Sequence, residues 1–173
     1  MELRSIALDA ARAAAAGKAV ATDAPSGKAL SAPSGAFVIV KVGGVVRGMG
    51  GSLDASGPLY RAARAAAGEA AGDDPRYPDI GEQEIASLTV DVFVVSSSWP
   101  LADISAWNPA TQGIHVQAGG LEAFLGPGEA RGPSAAEDGM DQACRRVGLA
   151  PGCWHPGKHD VVPVFTAFSG GKP

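Results

Sequence analysis

The stretch from Gly35 to Leu59, G-A-F-V-I-V-K-V-G-G-V-V-R-G-M-G-G-S-L-D-A-S-G-P-L, decides how this chain folds. Two apolar, β-branched runs flank Gly43-Gly44. Such a pair suits a two-residue hairpin turn, because both positions accept positive φ without a Cβ clash. The glycines at 48, 50 and 51 serve another purpose: they weaken a strand, so they mark a bulge or a close approach of backbone. Arg47 stands beside them as a lone cation. An arginine next to exposed glycine backbone offers a planar fork and N–H groups to a carboxylate or phosphate. The competing reading is an ion pair with an acid such as Asp54 or Asp74, tying strand to loop.

Working outward, residues 2 to about 20 read as an alanine-rich helix with Leu3, Ile6 and Ala10 on one face. A Pro, Ser and Gly-rich loop runs from Thr22 to Pro33. Pro58 suits the first turn of a second helix reaching Ala71. Asp73 to Pro78 forms an extended turn, since residues before proline avoid the α region. Leu88 to Ser96 is the strongest strand pattern, apolar on both faces toward its end and therefore central in a sheet. A second hairpin turns at Gly119-Gly120 between Ile114–Gln117 and Leu121–Leu125. Ser134 to Glu137 matches a capping box, ahead of a helix burying Met140, Ala143, Cys144 and Val147. Asp160 to Phe168 reads as a last strand, with Pro163 pointing to an edge or a bulge. Hairpins separated by unevenly placed helices make an α+β fold with antiparallel sheet.

The chain has 173 residues, of which 46% are hydrophobic and 18% charged, which is a globular balance and enough for one domain. Its net charge of −4 argues against nucleic acid, whose binding needs clustered Lys and Arg. The Arg61/Arg64 and Arg145/Arg146 pairs read as solvated helix faces. No window carries the roughly 20 apolar residues of a membrane span, and the start lacks a signal-type core, so the expected compartment is the cytoplasm. Two cysteines are too few for a disulfide framework, though they leave room for one bridge. Cys144 reads as a small buried hydrophobe.

Several segments in order carry a family resemblance. Gly35-Ala36-Phe37-Val38 and Val46-Arg47-Gly48-Met49-Gly50-Gly51 resemble the G-A-F-V and L-R-G-C-I-G motifs of the AMMECR-type domain, protein A of the AmmeMemoRadiSam system in prokaryotes. Asp74-Pro75-Arg76-Tyr77-Pro78 is similar to its D-x-R-F-P segment. Thr89–Pro100, Gly113–Ala130, and Leu149-Ala150-Pro151 with Trp154 are similar to three further segments. The chain departs from the pattern with Met49 for Cys, Gly50 for Ile, Gly128 for Gln, and Gln112 where His is often found.

The resemblance implies a single domain over 1–173, with a larger and a smaller subdomain and a cleft between them. It also implies association with Memo-like and radical-SAM-like proteins, with no firmly assigned reaction. The ligand-binding candidates are Arg47, Gly48, Met49, Gly51, Asp74 and Arg76, facing a small anion. No catalytic residue is assigned, and no cofactor, metal or membrane partner is expected. A cysteine at 49 beside Arg47 would be a thiolate candidate; the thioether of Met49 cannot deprotonate. Whether the chain works as a binding or accessory component, or as an interaction module that lost a cysteine-based site, stays open at this point. Cys153, His155, His159 and Asp160 are all competent metal ligands, but Pro156-Gly157 breaks the helix that would align the histidines. No G-x-S-x-G elbow, Walker-type loop or complete G-x-G-x-x-G is present.

Overall fold

The computed structural model describes residues 2–72, 74–132, 134–157 and 161–173. Its main elements are α1 (Glu2–Ala15), β1 (Gly35–Val42), β2 (Val45–Ser52), α2 (Leu59–Gly72), β3 (Leu88–Pro100), β4 (Gln112–Ala118), β5 (Leu121–Leu125), α3 (Ala135–Arg146) and β6 (Val164–Gly171). The strands follow the order β2-β1-β3-β6-β4-β5. Neighbours β1–β2, β1–β3, β4–β5 and β4–β6 pair antiparallel. The fold is therefore α+β with the hairpin-built sheet that the glycine pairs announce. The chain groups into two compact units, Met1–Val95 with Lys172–Pro173, and Ser96–Gly171.

In the first unit the β1–β2 hairpin turns on Gly43 and Gly44, at φ 57° and 83°. A side chain at either position would be strained. Residues 36 to 40 of β1 are all buried, as a strand between two neighbours requires. β3 is central as its pattern predicts, with Leu88, Val90 and Val92 in the core beneath the helices. That core is mostly small: Ala7, Ala10 and Ala11 of α1 lie with Ala63, Ala66, Ala67 and Ala70 of α2. Alanine stripes let helices approach closely while each buries modest apolar area. α1 stops earlier than its composition suggests, at Ala15, because Gly17 and Lys18 donate to Ala14 and Ala13 carbonyls and close the last turn.

In the second unit Met140 and Ala143 of α3, with Val147 just after it, lie against Ile114, Val116, Leu125 and Ala167. Three expectations need correction here. Ser134 precedes α3 but its side chain makes no cap hydrogen bond; its carbonyl accepts from Asp138 N–H at 2.9 Å instead. β6 is internal, between β3 and β4, and Pro163 lies just before it. The proline therefore costs the ladder no donor. Residues 158–160, where the last strand was expected to begin, lie outside the described residues. Finally, Cys144 is buried as read, but it is half of a Cys144–Cys153 disulfide, so it packs as a crosslink and has no thiol.

Candidate functional site at the edge strand

β2 ends the sheet, so one side of its backbone has no neighbouring strand. Its pairing with β1 steps from Val40↔Gly48 to Lys41↔Val46, which leaves Arg47 as the extra residue of a bulge. A bulge bends a strand and re-aims a side chain. Arg47 is turned onto the segment 78–84: Nη1 pairs with Glu84 Oε1, and Nη2 donates to Asp79 O at 2.9 Å. Its buried Nε has no acceptor among the described residues. The partner is Glu84, not Asp54 or Asp74. The Arg47 hydrogen bond, followed by one from Gly81 N–H, holds the Glu84 carboxyl below the usual range. Asp54 closes its own turn, accepting from Ser56 N–H at 2.9 Å and Ser56 Oγ at 2.8 Å.

Gly48 and Gly50 face α2. A Cβ at 48 would lie 1.7 Å from the Ala70 carbonyl oxygen, and one at 50 would lie 2.5 Å from that of Ala66. These glycines exist so that helix backbone rests on strand backbone, with Ala66 and Ala70 one turn apart opposite them. Gly51, at φ 140°, meets Ala36 and Phe37 of β1 in the same manner. Met49 points the other way, is 2% exposed, and is the strand's one large buried side chain.

The outer backbone groups of β2 are filled by side chains. Met49 N–H donates to Asp74 Oδ2 at 2.9 Å, and Met49 O accepts from Arg76 Nη2 at 3.1 Å. Asp74 and Arg76 are themselves paired: Nε reaches Oδ1 at 2.7 Å and Nη2 reaches Oδ2 at 2.8 Å. Asp74 is 2% exposed at its side chain and Arg76 20%. Two residues farther along, Gly51 N–H donates to Glu69 Oε2 at 3.1 Å. The Asp74–Arg76 pair thus presents an acceptor and a donor where a further strand would present a carbonyl and an amide.

Arg47, Gly48, Met49 and Gly51 lie on this edge strand and Asp74 and Arg76 bind it at Met49, while Arg47 turns away to Glu84. Glu84 and Glu69 complete the arrangement and were not singled out by sequence. Glu84 sits 37 residues from its arginine. The Arg61/Arg64 pair also makes a contact that was not read, since both guanidinium groups approach the Tyr60 ring, at 5.8 and 5.3 Å. Tyr60, one and four residues before them, was the available signal.

In the second unit Asp141 Oδ1 accepts from Gly152 N–H at 2.7 Å and Trp154 Nε1–H at 2.9 Å. With the Cys144–Cys153 bridge, this fixes the segment after α3 to the helix. His115 is 5% exposed and lies 3.1 Å from Glu122 Oε2. Burial lowers its pKa, against the opposing pull of Glu122. No group of three or more His, Cys, Asp or Glu able to hold a metal occurs among the described residues. His159 and Asp160 lie outside them, and Cys153 is spent in the disulfide. No helix among the described residues is long and apolar enough to cross a membrane.

An α+β chain whose glycine-rich edge strand is seated on a helix and clasped by an Asp-Pro-Arg turn defines a class of domain. The chain belongs to the AMMECR1 family, whose model matches residues 4–167. It is 29% identical over 147 residues to a protein of Aeropyrum pernix, covering 76% of this chain and 62% of that one. To a protein of Methanothermobacter thermautotrophicus it is 31% identical over 128 residues, covering 70% and 67%. A Thermococcus gammatolerans protein is 31% identical over 103 residues, covering 56% of this chain and 50% of the relative. The match thus spans about half of one of these relatives and under two thirds of another. The crystal structure of uncharacterized protein PH0010 from Pyrococcus horikoshii superposes with a TM-score of 0.72 at 23% identity, covering 98% of this chain and 87% of that one. At that identity the likeness is one of fold.

Proposed function

We propose that this chain is a binding or accessory component, without thiol chemistry at position 49, that acts with Memo-like and radical-SAM-like proteins in a modification pathway. In this reading residues 1–173 work as one AMMECR-type domain. The observation that carries it is the state of residue 49: a buried thioether whose N–H and C=O are both taken by the Asp74–Arg76 pair. Arg47, Gly48, Met49, Gly51, Asp74 and Arg76 then form a scaffold that shapes the edge strand, because an anion reaching Arg47 has to displace Glu84 first. A cytoplasmic setting fits the partner class, whereas the Cys144–Cys153 bridge is a feature commoner in oxidising compartments and hyperthermophiles.

The test is native mass spectrometry of the chain purified from its own host, combined with alkylation of a Met49→Cys variant. Memo-like or radical-SAM-like proteins should co-purify, and the new thiol should react slowly, as a buried cysteine does. Rapid alkylation at neutral pH, or purification without either partner class, would overturn the reading.

A further inference from the structure

The outward face of α2 carries a second feature, which shares Gly51 and Glu69 with the edge of β2. A cavity of about 650 Å³ is lined by Val20, Ala21, Thr22 and Ala65, with Arg61 and Arg64 on its wall. A smaller one of about 310 Å³ opens beside it, against Ser52, Asp54 and Ser56. Arg61, Ala65 and Glu69 border both, so the two form one groove along the helix. The larger volume falls in the range of about 300–1,000 Å³ typical of small-molecule sites.

The groove is polarised. At one end two guanidinium groups gather at the Tyr60 ring, and neither forms an ion pair with a carboxylate among the described residues. Arg61 donates Nε–H to Tyr60 Oη at 3.1 Å, and Arg64 donates from Nη1 to Asp23 O at 2.6 Å. Each is thus oriented by a neutral acceptor and keeps terminal N–H groups for an oxyanion, the geometry in which arginine recognises carboxylate or phosphate. Toward the other end stands the carboxylate of Glu69, while Asp54 lines the smaller cavity together with Arg61. Glu69 is positioned by the Gly51 N–H. The wall between the ends is apolar alanine.

We propose that this groove binds a small elongated zwitterion, with its carboxylate at Arg61 and Arg64 and its ammonium at Glu69. At 1.5 Å rise per residue, Arg64 and Arg61 lie roughly 7 and 12 Å along the helix from Glu69. An ω-amino acid or a very short peptide has a length of that order. A dianion is opposed by Glu69 and Asp54. A simple amine finds two unneutralised arginines.

Titration of the whole chain with 6-aminohexanoate, triglycine, hexanoate and hexylamine, followed by amide chemical shifts, tests the assignment and separates the two ligand sources. A zwitterionic probe should shift Thr22, Arg64 and Glu69 and bind about tenfold more tightly than hexanoate or hexylamine, about 1.4 kcal/mol. The double substitution Arg61→Gln with Arg64→Gln should abolish that binding. Glu69→Gln should bring the zwitterion down to the level of hexanoate. Four probes without a local shift up to about 10 mM, a range that covers millimolar affinity, overturn the proposal. Equal binding of charged and zwitterionic probes, or an unchanged affinity in the arginine double variant, does the same.

Discussion

The two units secure a helix against a sheet by opposite means. In the first, α2 sits on β2 through absent side chains, Gly48 and Gly50 opposite the carbonyls of Ala70 and Ala66, and the strand is then tied by charged groups. In the second, α3 rests on Met140, Val147 and the Ile114, Val116 and Leu125 side chains, and the following segment is tied by a covalent bond. One contact tolerates almost no added volume; the other is ordinary apolar packing with a staple. The comparison teaches that glycine-rich sequence can be the mark of a helix seat as much as of a ligand cradle. It is also experimentally separable, because both tyrosines, Tyr60 and Tyr77, lie in the first unit and all three tryptophans lie in the second.

The sharpest way to break the comparison is to add volume at the helix seat. Gly48→Val drives side-chain atoms into the Ala70 carbonyl, and should cost the first unit about 3–5 kcal/mol or its fold altogether. Tyrosine-selective near-UV dichroism during urea unfolding measures this, and a loss under 1 kcal/mol, about the size of an ordinary surface change, would show the seat to be loose. Next comes the clasp. Asp74→Ala removes the carboxylate that pairs with Arg76 and accepts from the Met49 N–H, for an expected loss of about 3 kcal/mol, with faster amide exchange at Met49 as the specific sign.

In the second unit, the Cys144→Ala and Cys153→Ala double variant frees a closed segment of nine residues' separation. Loop-closure entropy puts the expected loss at about 2.5 kcal/mol, read from tryptophan fluorescence in denaturant. A stability unchanged by mild reductant would contradict it. The smallest effect is pH-dependent. His115 has its pKa lowered from 6.5 by burial, so the folded state binds the proton less readily than the unfolded chain. Its contribution is complete above pH 6.5 and declines as pH falls from there toward the lowered folded value. His115→Gln should flatten that part of the tryptophan-monitored stability profile.

Much of the frame was legible because it is local. Gly43-Gly44 and Gly119-Gly120 sit between β-branched runs and adopt the positive φ their chemistry allows. The β3 alternation likewise reveals a central strand. What could not be read depends on distant partners. The glycines at 48 and 50 announce a close approach, but only the packed helix says that the visitor is the protein's own Ala66 and Ala70. Arg47 and Glu84 are 37 residues apart, and nothing in either neighbourhood selects the other over Asp54. Ser134 has capping-box spacing, yet its conformation, φ −104° and ψ 30°, turns its hydroxyl from that use. The two cysteines carried no pattern beyond their number. The candidates Met49, Asp74 and Arg76 bond to one another and Arg47 pairs with Glu84, and it was this pairing that the sequence did not carry.

The Asp74–Arg76 pair has a consequence outside the single molecule. An unpaired strand at the rim of a sheet is a template on which another chain can add, and proteins suppress this with charges, bulges and short edges. Here a bulge at Arg47 and a two-residue imitation of a strand occupy the rim together. A chain lacking either side chain would expose the groups of Met49 to its neighbours in solution. Such variants should therefore fail first by self-association at high concentration, ahead of any loss of fold.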